Sequence, residues 1–88
     1  MAKDTKVFKF YSDPGHAWLA VKFKDLLAVR LSPSDFSAYS YVRGGTYYLE
    51  EDCDAHKFAE AWKAIGREFK YVCKHTDKSS PIRSYNRI

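Results

Sequence analysis

The stretch "YSDPGHAWLAV", residues 11–21, sets an aspartate and a histidine on either side of a Pro-Gly pair. His16, at the start of the run that follows, is of a residue type that can donate to a phosphate or serve as an acid or base. The plainer reading is a turn. Asp13 is a favoured first turn residue because its carboxylate bonds backbone amides further along, Pro14 presets its own φ, and Gly15 supplies the positive φ of a type II turn. No nucleophile elbow and no phosphate-cradling glycine loop accompanies the histidine, so the turn carries the weight and His16 stays a candidate contact residue.

Two Cys–His pairs raise the question of zinc: Cys53 with His56 at a helix start, and Cys73 with His75 on one face of a strand. Neither has the usual two-cysteine knuckle spacing, and Phe69 and Tyr71 place Cys73 on a core face, where a free cysteine behaves as a small hydrophobe. The acidic run Glu50, Glu51, Asp52 and Asp54 offers oxygens to a hard cation. Strand alternation, however, sends Glu50 and Glu51 to opposite faces, and the aspartates suit the first turn of a helix. The expectation is no metal and no cofactor.

More suggestive are Tyr39, Tyr41 and Tyr48 beside Arg43, three flat rings and a guanidinium on one side of a hairpin. Such groups stack bases or anchor a protein partner, although tyrosines are also good strand formers. The segment "KHTDKSSPIRSYNRI", residues 74–88, adds His75, Tyr85 and a set of anion donors in Lys74, Lys78, Arg83 and Arg87. A solvated basic end is the plain alternative, but Ile82 and Tyr85 suggest that this segment packs back on the domain.

The elements that must hold these residues can be read from periodicity. "KVFKFY" alternates as a strand, and "AWLAVKF" follows as its hairpin partner with Leu19, Val21 and Phe23 on one face and Trp18, Ala20 and Lys22 on the other. "KDLLAVRL", residues 24–31, has the spacing of a short helix that buries Leu27 and Leu31 beside Leu26. Residues 37–51 form two strands joined by Gly44-Gly45, a pair able to take the positive φ angles of a two-residue hairpin turn. That turn sets Arg43 opposite Thr46, Tyr41 opposite Tyr48 and Tyr39 opposite Glu50. The other side, with Ala38, Ser40, Val42, Tyr47 and Leu49, is the better core face. "EDCDAHKFAEAWKAIG" is a helix with Ala55, Phe58, Ala59, Trp62 and Ile65 on one stripe, started by Asp52 or Asp54 and ended by Gly66. "FKYVCKH" alternates as a last strand. The fold expected is α+β: one small domain over residues 1–88, a sheet of about five strands with two helices packed on one face, and an extended basic tail at 77–88.

Eighty-eight residues suit one domain with a thin core, and an aromatic content of 17% helps fill it. No run approaches the roughly 20 apolar residues of a membrane span. Two cysteines do not make a disulfide framework, so the expected setting is a reducing, aqueous compartment without membrane attachment. The net charge of +4 is focused. Residues 1–69 balance ten basic against ten acidic side chains, whereas residues 70–88 hold five basic residues against Asp77 alone, a distribution that can steer an anionic partner to one side.

Three blocks, "FYSDPGHAWLAV", "YSYVRGGTYYLEEDCD" and "HTDKSSPIRSY", together resemble a family of short uncharacterised proteins of tailed bacteriophages and prophages. The matched positions include Asp13, Gly15, His16, Trp18, Tyr39, Tyr41, Arg43, Glu50, Glu51, Asp52, Cys53, Asp54, His75, Arg83 and Tyr85. The family follows its second strand with a proline-basic step, which "KFKDLL" lacks. The resemblance implies a mobile-element origin and the cytoplasm of a bacterial host. Small phage proteins often act by occupying a host machine, and this favours a non-catalytic binding module that inhibits a host or anti-phage defence protein. Its partner-binding residues would be Tyr39, Tyr41, Arg43, Tyr48, His16, His75, Arg83 and Tyr85. Two alternatives stand beside it. One is a binder of nucleic acid or of a phosphate-bearing nucleotide, using the tyrosine-arginine face with Lys74, Lys78, Arg83 and Arg87. The other is a small enzyme built on His16, His75 and Arg83.

Overall fold

A computed structural model describes residues 5–37 and 39–88. The chain runs through β1 (Thr5–Ser12), β2 (Ala17–Lys22), α1 (Phe23–Ala28), a 3-10 turn at Pro33–Asp35, β3 (Tyr41–Arg43), β4 (Thr46–Glu50), α2 (Asp54–Ala64) and β5 (Glu68–His75). A second 3-10 turn at Pro81–Ser84 leads into β6 (Asn86–Arg87). The strands join in one sheet of order β5-β1-β2-β4-β3-β6. β1 and β5 pair in parallel and all other neighbours are antiparallel, so the fold is α+β with a mixed sheet.

Strand alternation gives the sheet two different faces. One carries Phe8, Leu19, Val21 and Leu49, which close with Leu26 of α1 and with Ala55, Phe58 and Trp62 of α2 into the buried core. Phe8 is its centre. Its ring meets Phe58, Trp62 and Phe69 edge-on at 5.4–5.6 Å between centroids, the T-shaped arrangement that aromatic quadrupoles favour. The other face carries Tyr11, Trp18, Tyr41 and Tyr48, and among the described residues no α-helix covers it. The C-terminal segment crosses it instead, with Ile82 buried and Tyr85 lying against Tyr48.

Gly44 and Gly45 have φ of 57° and 80°, both positive as a type I′ hairpin turn requires, and the register sets Arg43 opposite Thr46 and Tyr41 opposite Tyr48 as the spacing predicts. Ser40 and Leu49 are buried on the expected core side, while Ala38 lies outside the described residues.

Several expectations change. Among the described residues the sheet has six strands rather than about five, because the basic tail is not simply extended: it turns at Pro81 and pairs β6 with β3. α1 spans Phe23–Ala28 rather than residues 24–31, ending where Arg30 takes a φ of 59°, and Leu27 is 59% exposed because so short a helix buries one stripe only. Ile65 is exposed just past the end of α2. For the same reason β5 is barely covered. Trp62 reaches back to donate its indole N–H to the Glu68 carbonyl at 3.1 Å, and only Phe69 among the β5 residues is half-buried. Tyr71 and Cys73, assigned to the core by alternation, are exposed because the strand continues beyond the helix. Among the described residues no helix is long and apolar enough to cross a membrane.

Candidate functional site

The β1–β2 turn is organised by one carboxylate. Asp13 Oδ1 accepts the amide hydrogens of Gly15 and His16 at 2.9 Å each, as the turn reading predicts. Gly15 does not take the positive φ of a type II turn. Its small size serves another purpose: a Cβ at this position would lie 2.8 Å from Arg83 Nη2. That approach exists because Arg83 clasps Asp13 in a fork, with Nε donating to Oδ2 at 2.6 Å and Nη2 to Oδ1 at 2.9 Å. The Ser80 amide donates to Oδ2 at 2.9 Å, and Ser80 Oγ accepts from the Ile82 amide to start the 3-10 turn.

Asp13 therefore accepts five hydrogen bonds with its side chain 1% exposed. The Arg83 guanidinium first, and the Ser80 amide after it, hold its carboxyl far below the usual carboxylate range. Arg83 is correspondingly held above its ordinary value by Asp13.

The clasp aims Arg83 at an aromatic floor. Its guanidinium carbon sits 5.6 Å from the centroid of the buried Trp18 ring, and Trp18 meets Tyr41 edge-on at 6.2 Å. Arg87 of β6 lies over Tyr41 at 5.6 Å. Around these groups opens a cleft of about 430 Å³, completed by His16, Tyr39, Glu50, Asp52 and Cys53. The volume falls in the range of pockets that take a small molecule or an inserted side chain. His16 is exposed, its ring 6.1 Å from that of Trp18, and Tyr39 stands at the rim, 69% exposed.

The acidic side of the cleft is held by the start of α2. The Glu50 carboxylate accepts the amides of Asp52 at 2.8 Å and Cys53 at 3.2 Å, a role expected of Asp52 or Asp54. Asp54 is buried and points elsewhere. Its Oδ2 accepts from the Ser37 amide and hydroxyl at 2.9 and 2.7 Å and from the Ser40 hydroxyl, tying the approach to β3 onto α2. Ser40 Oγ in turn accepts from the Glu50 amide at 3.0 Å. These carboxylates position backbone. Among the described residues no three His, Cys, Asp or Glu side chains gather as a metal cluster, and both cysteines are free and exposed.

The remaining predicted residues divide. Tyr48 is half-buried between Tyr11 at 6.0 Å and Tyr85 at 5.2 Å, and Arg43 covers Tyr85 at 5.0 Å, so these groups hold the tail to the sheet. Burial, with Tyr85 and Tyr11 behind it, pushes the Tyr48 phenol up. The tyrosine face is thus half closed by the tail, and only Tyr39 and Tyr41 of its rings line the cleft.

His16 and Arg83 share that cleft but His75 does not. It bonds Ser12 Oγ through Nδ1 at 2.8 Å, approaches Asp77 at 3.3 Å through Nε2, and lines a separate cavity of about 250 Å³ with Lys74. The enzymatic trio is therefore not assembled around one pocket. Lys78 is exposed and does not line the cleft.

Trp18, Asp13 and Glu50 enter the site although residue-by-residue reading gave none of them a contact role. Nothing in their local sequence signals it: Trp18 and Glu50 meet by pairing across β2 and β4, and Asp13 reaches the cleft through its bond to Arg83. No protein-family model, no curated protein and no solved structure matches this chain.

Proposed function

We propose that this protein is a stoichiometric binding module that seats an anchor side chain of a protein partner in the Trp18–Tyr41 cleft and performs no reaction of its own. The observation that carries this is the Asp13–Arg83 clasp, which fixes a guanidinium over Trp18 before any partner arrives. Aromatic and arginine groups already locked in place lose little freedom on association, and rings of this kind dominate binding energy at protein interfaces. The exposed Tyr39 ring at the rim adds area at low rotamer cost. Following the resemblance to small phage proteins, the partner is a host or anti-phage defence protein, occupied and thereby inhibited in the bacterial cytoplasm.

Charge favours this over the nucleotide reading. Arg83 and Arg87 are opposed at the cleft by Glu50 and Asp52, and Arg83 is already neutralised by Asp13, so no positive excess faces an incoming phosphate. The specific support for the second reading is the layering of arginine on aromatic rings, a surface on which a base can also stack.

Immobilised protein exposed to bacterial lysate separates the two. A protein partner retained by the wild type, lost with Tyr39→Ala, and held as salt rises from about 0.1 to 1 M supports the module. Capture of nucleic acid that elutes steeply with salt supports the alternative. If nothing is retained, or if Tyr39→Ala retains as much as the wild type, the cleft is not the recognition surface.

A further inference from the structure

The two edges of the sheet are unlike. At one, β6 presents two residues; at the other, β5 runs for eight with β1 as its one neighbour in the sheet among the described residues. Seven of those eight are exposed, including Tyr71 at 57% and Val72 at 45%, and Val7 on the adjoining strand is exposed as well. A long open edge offers a row of backbone donors and acceptors to another strand.

We propose that β5 is a homodimer interface, in which the β5 strand of a second copy of this chain adds antiparallel about a two-fold axis through Tyr71 and makes one continuous sheet from two. The occupant is argued from charge. A two-fold axis normal to the sheet keeps each face on its own side, so only residues of the same face can stand opposite one another and the axis must pass through a residue. Centred on Tyr71, the strands place Glu68 opposite Lys74 of the second copy at both ends, Phe69 opposite Cys73, Lys70 opposite Val72, and Tyr71 opposite itself. Centred on Val72, they place Lys70 opposite Lys74 twice. Centred on Cys73 or on Lys70, only five residues remain paired, 71–75 or 68–72, and in the second case Lys70 faces itself. Opposite charges across an antiparallel pair stabilise it and like charges destabilise it, so the sequence of β5 selects the Tyr71 register. Lys70 and Lys74, the usual guards of an edge strand, then exclude the competing alignment without blocking this one. The cleft lies over β2, β4 and β3, with β1 between it and this edge, and stays open in the dimer, so this inference is independent of the binding-module reading.

The test is sedimentation of the whole chain over a range of concentrations. Wild type is expected to show a reversible monomer–dimer equilibrium. Lys74→Glu, which sets glutamate against Glu68 at both ends, is expected to weaken it by roughly tenfold or more, and the double exchange Glu68→Lys with Lys74→Glu to restore it. Register is read by oxidation in a Cys53→Ser, Cys73→Ser background. Tyr71→Cys is expected to form a covalent dimer, because directly opposed antiparallel residues stand at disulfide distance, and Val72→Cys is not. A chain monomeric at its highest soluble concentration, a double exchange that fails to restore association, or crosslinking through Val72→Cys instead of Tyr71→Cys overturns the proposal.

Discussion

The two faces of this sheet are built from the same aromatic alphabet and held by different physics. On the helix side Phe8, Phe58, Trp62 and Phe69 pack ring to ring with leucine and valine, and the cations beside them, Lys6 at 5.4 Å from the Phe8 centroid and Arg67 at 5.1 Å from that of Trp62, stand at the margin of a cluster already closed. On the tail side three covering contacts pair a ring with a cation, Arg43 with Tyr85, Arg83 with Trp18 and Arg87 with Tyr41, beside the Tyr48–Tyr85 ring pair and the buried Ile82. Burial of apolar area is non-directional and strong, so the first face fixes the fold. Stacked guanidiniums and one carboxylate clasp are directional and individually modest, so the second face can present a defined cleft without being sealed. A small domain can in this way assign stability to one side of its sheet and keep a cleft open on the other.

Substitutions should divide along that line. The largest loss is expected for Phe58→Ala, about 3–5 kcal/mol from a fully buried ring at the centre of the helix face, measured by urea unfolding. Ile82→Ala removes the apolar anchor of the tail and is expected to cost less, about 2 kcal/mol, the low end for such a truncation.

Asp13→Asn should show a smaller loss with a distinctive pH signature. The Asp13 carboxyl is held below its ordinary value of 3.8 in the folded protein, so its contribution is present in full above that pH and is lost as pH falls from there toward the folded value. The stability difference between wild type and Asp13→Asn should accordingly narrow between about pH 4 and pH 2. A gap as wide at pH 2 as at pH 6 would mean that the clasp does not hold the tail.

Arg43→Ala, which uncovers Tyr85, should cost about 0.5–1 kcal/mol. Tyr39→Ala should leave stability within about 0.5 kcal/mol while abolishing partner capture, the sharpest separation of the two faces. If Arg43→Ala or Ile82→Ala proved as damaging as Phe58→Ala, the tail would belong to the core and the contrast would collapse.

Local chemistry was legible in the sequence and long-range pairing was not. The Gly44-Gly45 turn and its register follow from the φ that two glycines allow, and α2 follows from the spacing of Ala55, Phe58 and Trp62. Asp13 could be read as a turn residue because that role is confined to its neighbours. Its second role, gripping Arg83 across 70 residues of sequence, has no local signature, and with it Gly15 was assigned a dihedral role when its constraint is the space the clasp occupies. Cys73 and Tyr71 misled for a related reason. Alternation tells which residues share a face, but only the length of α2 decides how far that face is covered, and the helix stops at Ala64. The cleft was half legible: Tyr39, Tyr41, His16, Arg83 and Arg87 line it, whereas Tyr48 and Arg43 turned inward to the tail once residues 77–88 folded across the sheet.

The parallel ladder between β1 and β5 has a consequence for how the chain comes into being. Ser12 meets His75 across 63 residues, so the first strand receives its outer neighbour only after nearly every other element has been synthesised. Closing that distance costs chain entropy before the ladder returns any, which makes it a slow step. During translation the nascent polypeptide must carry an open hairpin flank, and there, rather than in the finished molecule, chaperone capture or mispairing between neighbouring ribosomes has its opportunity.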